Sequence, residues 1–354
     1  MTVQILRSHL TEIEKSEGIG RLLELWLEVG RICHLKCSFC FNDAGNAEPV
    51  VANQLSIEEY RRILQEFAAL GGKSVGIPGF GEPFHRANLS TTMAIIAEAS
   101  RLGLRVNVFT TGDRLTEELG WKLRDHKVSL SVKFNSRFEE VQDKLVGVRG
   151  YTKKRQRALE MLYRLGFNRP DTDGRSLLAF VTSIIPGANE KELPGNYYWC
   201  RTHNVVPDVD TLLPLGRAKP MTDEEAVVTR QVFERLREID RRNFGIEWIG
   251  DSPTYAGACC DRCRHHLYVG MTGDIGPCLG AYKRGVTLGN ARDISLETAW
   301  NSPLMQRIRA REYSGKCLAC ARFQSSRCNS CLGRFASEIS AERVETLGCW
   351  NLAE

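Results

Sequence analysis

The chain has 354 residues, of which 42% are hydrophobic and 26% charged, a composition typical of a soluble globular protein of about two domains. No signal-peptide pattern begins it and no apolar run reaches the ~18 residues of a membrane span, so we expect a cytoplasmic protein. We infer no nucleic-acid partner from the net charge of +5, because that count treats the cysteines as neutral and metal binding deprotonates them.

The sequence has thirteen cysteines, a high number for such a chain. Secreted proteins use cysteines for disulfides, but the odd count, the length and the missing signal argue against that use. Three cysteines lie at 33–40, nine lie between 259 and 349, and Cys200 stands alone between the groups. In a reducing compartment this clustering predicts metal binding, with Cys200 a buried apolar side chain.

Strand and helix patterns alternate from residue 22 to about 220, after a segment of 21 residues that predicts a lid or packing helix. Predicted strands are 22–29, 74–77, 105–109, 128–133, 177–183 and a sixth near 205 or at 211–215. Predicted helices are 56–70, 90–102, 116–125, 152–165 and 189–203. Regular alternation predicts an α/β fold with a parallel sheet, closed or partly closed into a barrel.

A cysteine loop follows the first predicted strand, with Cys33, Cys37 and Cys40 in a C-x3-C-x2-C pattern. Three thiolates at this spacing can bind three irons of one cubane cluster and leave the fourth iron without a protein ligand. The alternative is a structural zinc loop, but such sites take four ligands.

A glycine-rich turn, Gly79-Phe80-Gly81-Glu82-Pro83, follows the second predicted strand. Its glycines permit a sharp turn and close approach to a ligand, and Pro83 stiffens the exit. Together with the cysteine loop, it resembles the signature of the radical S-adenosylmethionine (SAM) superfamily. In that family the open iron chelates SAM, and one electron cleaves SAM to methionine and a 5′-deoxyadenosyl radical.

The resemblance implies a partial (β/α)6 barrel and several SAM contacts. Phe39 is expected near the adenine, and Gly79, Gly81, Glu82 and Pro83 near the amino group. Polar residues at the ends of later strands are further candidates for SAM contacts: Thr110, Thr111, Ser131, Lys133, Asn135, Thr182 and Ser183. The alternative that these residues only cap strand ends stays open.

A long amphipathic helix is predicted at 221–244, with acidic residues in its first turn, followed by a short strand at 246–249. We expect this segment to bridge two domains. The predicted organisation is an N-terminal segment at 1–21, a barrel at 22–220, a bridge at 221–254 and a cysteine-rich domain at 255–354.

The cysteine-rich domain contains Cys259, Cys260, Cys263, Cys278, Cys317, Cys320, Cys328, Cys331 and Cys349. Its two C-x2-C pairs at 317–320 and 328–331 also permit a zinc ribbon. The order resembles the SPASM extension of radical SAM enzymes, which holds two auxiliary [4Fe–4S] clusters. A β-hairpin at 269–278 is expected to place Cys278 beside Cys263.

The resemblance implies three [4Fe–4S] clusters in all and assigns ligands to the auxiliary pair. One cluster takes Cys263, Cys278, Cys331 and one of Cys259 or Cys260; the second takes Cys317, Cys320, Cys328 and Cys349. The spacing C-x7-C-x2-C, instead of the commoner C-x5-C-x3-C, leaves this partition open, and the adjacent cysteine pair leaves one thiol over.

Two outcomes of hydrogen abstraction are compatible with the sequence. The spare thiol of Cys259 or Cys260 could return a hydrogen atom to a substrate radical, which means epimerisation. Without such a donor, loss of a second electron gives dehydrogenation, with Asp208, Asp210 or Asp251 taking the proton.

The favoured substrate is a small polar molecule, such as a sugar or aminocyclitol precursor of a natural product. A peptide or protein side chain is the alternative, and a non-catalytic metal scaffold is disfavoured by the two motifs together. The expected partner is an external one-electron reductant such as flavodoxin or ferredoxin.

Overall fold

The structure, a computed structural model, describes residues 4–45, 52–249, 256–257 and 259–347. Two predicted functional positions, Asp251 and Cys349, lie outside these described residues. In the described parts of the chain, no helix is long and apolar enough to cross a membrane.

The main sheet has nine strands, in the order β6-β5-β4-β3-β2-β1-β7-β8-β9. Its strands are β1 (Glu24–Leu27), β2 (Ser74–Ile77), β3 (Arg105–Thr110), β4 (Ser129–Lys133), β5 (Leu178–Ile184), β6 (Val206–Thr211), β7 (His266–Val269), β8 (Asp274–Gly276) and β9 (Gly289–Asn290). Strands β10 (Ser314–Gly315), β11 (Ala336–Ile339) and β12 (Val344–Thr346) form a second sheet.

Helices cover every crossover between the six parallel strands β1 to β6. They are α2 (Ile57–Ala69), α3 (Leu89–Arg101), α4 (Glu117–Asp125), α5 (Glu139–Val146), α6 (Tyr151–Arg164) and α7 (Leu193–Thr202), while α1 (Glu12–Glu17) precedes β1 and α8 (Asp223–Ile239) follows β6. The C-terminal domain adds α9 (Leu279–Tyr282), α10 (Leu296–Trp300), α11 (Pro303–Ala310), α12 (Ala321–Gln324) and α13 (Leu332–Phe335). The prediction of a mixed α/β fold with a partial (β/α)6 barrel is confirmed.

Helix α2 shows how the sequence pattern becomes packing. Ser56 and Glu59 form the predicted capping box. One apolar face of the helix, containing Ile63 and Phe67, is fully buried in the core with Val75 of β2. Because β2 is buried along its whole length, the sheet is covered on both faces, as parallel sheets usually are.

The N-terminal segment closes the amino end of the barrel. The Ser74 hydroxyl donates to the Ser8 carbonyl at 2.7 Å, and the Ser8 N–H donates to the Ser129 hydroxyl at 3.1 Å. Ser74 and Ser129 are the first residues of β2 and β4. The predicted packing role is therefore at the end of the barrel opposite the carboxyl ends of the strands.

The C-terminal domain continues the barrel sheet. Strand β7 pairs with β1 in parallel, with Leu267 opposite Leu25. The buried carboxylate of Glu28 accepts from the Tyr268 hydroxyl at 2.8 Å and from Arg31 Nε at 2.8 Å. This anchors the C-terminal hairpin to the segment that leads into the cysteine loop.

Two placements differ from the sequence prediction. The sixth strand is Val206–Thr211, so the option at 211–215 is wrong; Asp208 and Asp210 interrupt its apolar pattern because they face a cavity. Helix α5 was not predicted, and its eight residues are too few for a strong periodic pattern.

The strand predicted at 246–249 is also wrong. The Ile246 N–H donates to the Asp240 carbonyl at 3.1 Å, so the chain folds back on the preceding helix end. The buried Asp240 carboxylate accepts from Tyr197 at 2.6 Å, from Arg201 at 2.8 Å and from the Trp248 indole at 3.0 Å. Because this hydrogen-bond network is buried, it determines the backbone conformation of the segment that follows α8.

Candidate active site

The carboxyl ends of the barrel strands surround a cavity of about 260 Å³. Parallel strands bring these ends to one side, where α/β barrels place their chemistry. Both cysteine groups line the cavity, through Cys33, Cys37, Cys40, Cys260, Cys278 and Cys331. The cavity therefore connects the cysteine loop with the C-terminal domain.

The cysteine loop presents three free thiols. Burial raises the pKa of Cys33 and of Cys37 to about 12, so a bound metal must displace their protons. Among the described residues, no three Cys, His, Asp or Glu side chains form a group that could hold a single metal ion. Three thiols bordering one shared cavity are a suitable donor set for three irons of a cluster.

Helix α5 fixes the path of this loop. The Lys36 N–H donates to the Val146 carbonyl at 3.0 Å, and the Ser38 N–H donates to the Leu145 carbonyl at 2.9 Å. Leu35 packs with Val146 in a fully buried cluster. The helix that the sequence pattern missed therefore positions the thiols.

A second support comes from the segment after β6. Arg217 Nε donates to the Cys37 carbonyl at 2.7 Å, and Nη2 donates to the Ala44 carbonyl at 2.7 Å. The Arg217 N–H also donates to the Cys40 carbonyl at 2.8 Å. No local motif marks Arg217 in the sequence, because its partners lie in a distant loop.

The glycine-rich turn packs against the start of the cysteine loop. The Glu82 N–H donates to the Ile32 carbonyl at 2.9 Å. A Cβ on Gly81 would lie 2.5 Å from that carbonyl oxygen, so the turn requires glycine there. Gly79, Gly81 and Glu82 line the cavity, whereas Pro83 is not among the described residues that do so.

Glu82 is fully buried, and both carboxylate oxygens are held. Oε1 accepts from the Thr110 hydroxyl at 2.6 Å and the Phe84 N–H at 3.1 Å. Oε2 accepts from the Thr111 N–H at 2.7 Å, and the Thr111 hydroxyl lies 2.8 Å from Oε2. Burial raises the pKa of Glu82. A carboxylate has about four lone-pair sites, and these four contacts occupy them. A cationic ligand beside Glu82 would therefore be stabilised mainly by the negative charge and less by a new hydrogen bond.

The network continues to the cysteine loop. The Thr111 hydroxyl lies 2.6 Å from Asp113 Oδ1, and His34 Nε2 lies 2.8 Å from Asp113 Oδ2. His34 directly follows Cys33. The third strand and the cysteine loop are thereby fixed relative to each other.

Lys133 provides a cation in the same cavity. Its Nζ donates to the Ser183 hydroxyl at 2.9 Å and lies 5.3 Å from the ring centroid of Phe39. Burial lowers the pKa of Lys133. These three residues and Ser131 line the cavity. A carboxylate ligand beside Phe39 fits this wall.

Asn135 and Thr182 lie elsewhere. Asn135 Oδ1 accepts from the Ser183 N–H at 3.0 Å, and the Thr182 hydroxyl donates to the Phe134 carbonyl at 2.6 Å. Neither is among the described residues that line the cavity. Both side chains bond to backbone groups of β5 or of the segment that follows β4, so the alternative role of capping strand ends stays open.

Asp208 and Asp210 face the cavity from alternate positions of β6. Burial and the neighbouring Asp210 raise the pKa of Asp208 to about 6, against the opposing effect of Arg262 and Lys133. The Asp208 side chain has no hydrogen-bond partner in the described part of the chain. Asp210 Oδ2 lies 3.9 Å from Arg334 Nη2.

Four cysteines meet at the other end of the cavity. The Cys260 thiol contacts Cys331, and the Cys263 thiol contacts Cys278. These contacts raise the pKa of Cys260 and Cys263 and lower the pKa of Cys331 and Cys278. Strands β7 and β8 form the antiparallel hairpin that was predicted to return Cys278 to Cys263.

Cys259 lies outside this group of four. The Asn329 amide donates to Cys259 Sγ at 3.6 Å. Of the adjacent pair, Cys260 lines the cavity and Cys259 does not appear among its described lining residues. The geometry therefore groups Cys260 with Cys263, Cys278 and Cys331.

Two further cysteines contact Ser330, and a third is bonded through its backbone to one of them. The Ser330 N–H donates to Cys328 Sγ at 3.4 Å, and the Cys317 thiol donates to the Ser330 hydroxyl at 3.2 Å. The Cys320 N–H donates to the Cys317 carbonyl at 3.0 Å. The fourth predicted ligand of this group, Cys349, lies outside the described residues.

Arg334 is a further site residue that the sequence did not reveal. It lines the cavity, and its Nη1 donates to Cys331 Sγ at 3.4 Å. One arginine three positions after a cysteine is no motif, so only the tertiary structure identifies it.

Two family models match the chain. The model described as the Radical SAM superfamily matches residues 27–195, and the SPASM model, described as an iron–sulfur cluster-binding domain, matches residues 259–331. The matches include the cysteine loop and glycine-rich turn in the first case, and eight of the C-terminal cysteines in the second.

Similar proteins include the GTP 3′,8-cyclase of Tolumonas auensis, 24% identical in an alignment 314 residues long that covers 82% of this chain and 87% of the relative. The Streptococcus suis SuiB structure with S-adenosylmethionine has a TM-score of 0.69 at 18% identity, over 96% of this chain and 80% of SuiB. A structure of anSMEcpe with AdoMet and the Kp18Cys peptide has a TM-score of 0.62 at 13% identity, over 92% of each chain. At these identities the structural likeness establishes the fold.

Proposed function

The chain belongs to the radical SAM superfamily and carries a SPASM domain, and we propose from this premise that it dehydrogenates a small polar substrate bearing an amino group. Its cofactors are SAM, one SAM-binding [4Fe–4S] cluster and auxiliary [4Fe–4S] clusters. An aminocyclitol or amino sugar is the substrate class proposed. A flavodoxin or ferredoxin is the proposed electron donor.

The observation that carries this proposal is the carboxylate of Asp208, which faces the cavity. It lies in a space that also contains cysteines of both groups. The charge of Asp208 is unfavourable there, since burial raises its pKa. A substrate ammonium group would compensate that charge and be oriented by it.

The SAM and cluster pair, when bound, supplies the radical that removes a hydrogen atom from substrate carbon. The residues of this chain hold and orient the substrate. Asp208 and Asp210 bind the ammonium group, and Asp208 accepts the proton that leaves the heteroatom on the reacting carbon. Overall, the substrate would lose one hydrogen atom, one proton to Asp208 and one electron, and a new C=N or C=O bond would form. The electron acceptor would be the oxidised cluster that Cys260, Cys263, Cys278 and Cys331 are suited to hold.

Placement of the spare thiol favours dehydrogenation over epimerisation. Epimerisation requires a hydrogen-atom donor beside the substrate radical. Cys259 contacts Asn329 instead, and Cys260 groups with three other cysteines. Cys259 is thus spare but is not among the described residues that line the cavity, and Cys260 lines the cavity but is not spare.

A peptide substrate is the second candidate. SuiB has been solved with its precursor peptide SuiA, at a TM-score of 0.68 and 17% identity to this chain, and the anSMEcpe structure contains a peptide. These relatives support a peptide as substrate class, and the carboxylates of Asp208 and Asp210 in this chain favour one that presents a basic side chain to them.

The test is an anaerobic incubation of the reconstituted enzyme with SAM and dithionite. 2-Deoxystreptamine is compared with myo-inositol, a related ring without amines, and with a lysine-containing peptide. The proposal expects 5′-deoxyadenosine above background and a product about 2 Da lighter only with the amine ring. A product that keeps the substrate's mass in water and gains one deuterium in D₂O indicates epimerisation and would falsify the proposal. Turnover of the peptide alone favours the second candidate, a peptide substrate.

A further inference from the structure

Arg334 joins the C-terminal cysteine group to the sixth strand. Its Nη1 donates to Cys331 Sγ at 3.4 Å, while Nε donates to the Leu212 carbonyl at 3.2 Å and Nη2 to the Thr211 carbonyl at 2.6 Å. The Arg334 side chain is 8% exposed. Its planar fork thus contacts a thiol and two carbonyls at once.

The position of this charge matters for electron transfer. Cys331 belongs to the four cysteines that fit an auxiliary cluster. Reduction adds negative charge to such a cluster, and hydrogen bonds to its sulfurs and nearby charge set its potential. A buried guanidinium beside a ligating thiolate stabilises the reduced state more than the oxidised state.

We propose that Arg334 is a positioning residue that makes the auxiliary cluster at Cys331 a stronger electron acceptor and holds this cluster against the substrate-binding end of β6. Asp210 completes the link, since its carboxylate lies 3.9 Å from Arg334 Nη2. The substrate wall and the proposed electron acceptor therefore share one side chain. The potential is a property of the substrate-free protein, so this inference can hold even if the proposed substrate class is wrong.

Arg284 offers a matched control, because its guanidinium bonds to the backbone of the short segment that contains Arg334. Its Nε donates to the Gly333 carbonyl at 2.9 Å, and its Nη1 donates to the Ala336 carbonyl at 3.3 Å. Like Arg334, it holds the backbone around α13. In the described part of the chain its side chain hydrogen-bonds to carbonyls and to no thiol, so its loss tests the purely structural role.

The experiment is an EPR-monitored redox titration of the fully reconstituted enzyme. The SAM-binding cluster is identified by its response to SAM, and the Cys331 cluster by its loss in Cys278→Ala. Arg334→Met is expected to shift the midpoint potential of the Cys331 cluster to a more negative value, with a smaller shift in Arg334→Lys and none in Arg284→Met. The potential of the other auxiliary cluster stays unchanged.

An unchanged potential in Arg334→Met, or an equal shift in Arg284→Met, overturns the proposal. Iron and sulfide content is measured for every variant. If Arg334→Met does not retain the cluster, the titration of Arg334→Lys decides between the outcomes. The lysine ammonium keeps the positive charge but loses the planar fork of hydrogen-bond donors. A wild-type midpoint potential in Arg334→Lys then overturns the proposal.

Discussion

Arg217 Nε donates to the Cys37 carbonyl at 2.7 Å, although 180 residues separate them. The same guanidinium holds the Ala44 carbonyl at 2.7 Å. The segment after the last barrel strand therefore fixes the loop that begins after the first. The three thiols of that loop depend on a contact that closes only when the barrel is complete.

Arg217→Met is expected to weaken the cluster at Cys33, Cys37 and Cys40. A hydrogen bond from a charged group contributes about 1.5–3 kcal/mol, so we expect about tenfold faster loss of this cluster to an iron chelator. EPR with added SAM measures it separately from the auxiliary clusters. Arg124→Met, which removes a guanidinium bonded to the Leu165 carbonyl on another face, is the control and should leave the rate unchanged.

Gly216→Ala tests the same contact through the backbone. Gly216 has φ +60, and a Cβ would lie 2.5 Å from the Cys40 carbonyl oxygen. Gly103 has φ +73 with nothing within 4 Å of its Cβ position. Both alanines are expected to cost about 1–2 kcal/mol of stability through the left-handed conformation, measured by urea unfolding.

Only Gly216→Ala should also reduce the iron bound at the cysteine loop, because only there does the methyl group collide with backbone. Equal iron content in Gly216→Ala and Gly103→Ala, at equal stability, contradicts the idea that the loop after β6 shapes the cysteine loop.

Glu82→Gln is expected to weaken SAM binding by about tenfold to a hundredfold, the range for loss of a charge-assisted contact. Equilibrium binding to the reconstituted enzyme measures it, with Glu98→Gln on the outer helix α3 as the control. Without SAM the same variant should be more stable at neutral pH, because burial raises the pKa of Glu82 and its ionisation opposes folding. Unchanged affinity with lowered stability would instead assign Glu82 a structural role alone, through its hydrogen bonds to Thr110, Thr111 and Phe84.

The sequence predicted the parts of the site that depend on short spacing. The three cysteines at 33–40 and the glycines at 79 and 81 lie in local motifs, and their roles in the fold follow from turn geometry and thiol spacing. The regular strands followed from apolar runs because parallel strands are buried on both faces.

Contacts between distant segments were beyond the sequence. Arg217 and Arg334 are single arginines whose partners are backbone carbonyls and a thiol, and carbonyls carry no residue signal. Asp208 was predicted as a proton acceptor, but the same residue obscured the sixth strand. The choice between Cys259 and Cys260 needed the tertiary structure, since adjacent residues face different surroundings.

Cys260→Ala and Cys259→Ala test that choice. Cys260 groups with three other cysteines, whereas Cys259 contacts Asn329. Cys260→Ala is expected to lose about four irons per chain, the content of one [4Fe–4S] cluster, and Cys259→Ala to lose none. Iron and sulfide determination after anaerobic reconstitution measures both. The reverse result assigns Cys259 as the ligand and places the spare thiol of Cys260 in the cavity, which restores the epimerisation route.

Asp208→Asn links catalysis with pH and stability. Asp208 has a pKa raised to about 6, from burial first and then from Asp210, so it accepts a proton only above that pH. Product formation in the wild type should therefore fall as pH drops through about 6, while 5′-deoxyadenosine release persists. Asp208→Asn should give 5′-deoxyadenosine with little product at any pH.

The raised pKa also fixes the sign of the stability change. The unfolded chain ionises Asp208 at a lower pH than the folded protein does, so the ionised side chain destabilises the fold above about pH 6 and has no effect once both states are protonated. Asp208→Asn should raise the melting temperature at pH 7.5 and leave it unchanged below pH 3.5. Scanning calorimetry of the reconstituted protein at neutral pH and of the apoprotein in acid measures this. A variant that is less stable at pH 7.5 would mean that Asp208 is compensated by protein cations and is not available to a substrate ammonium group.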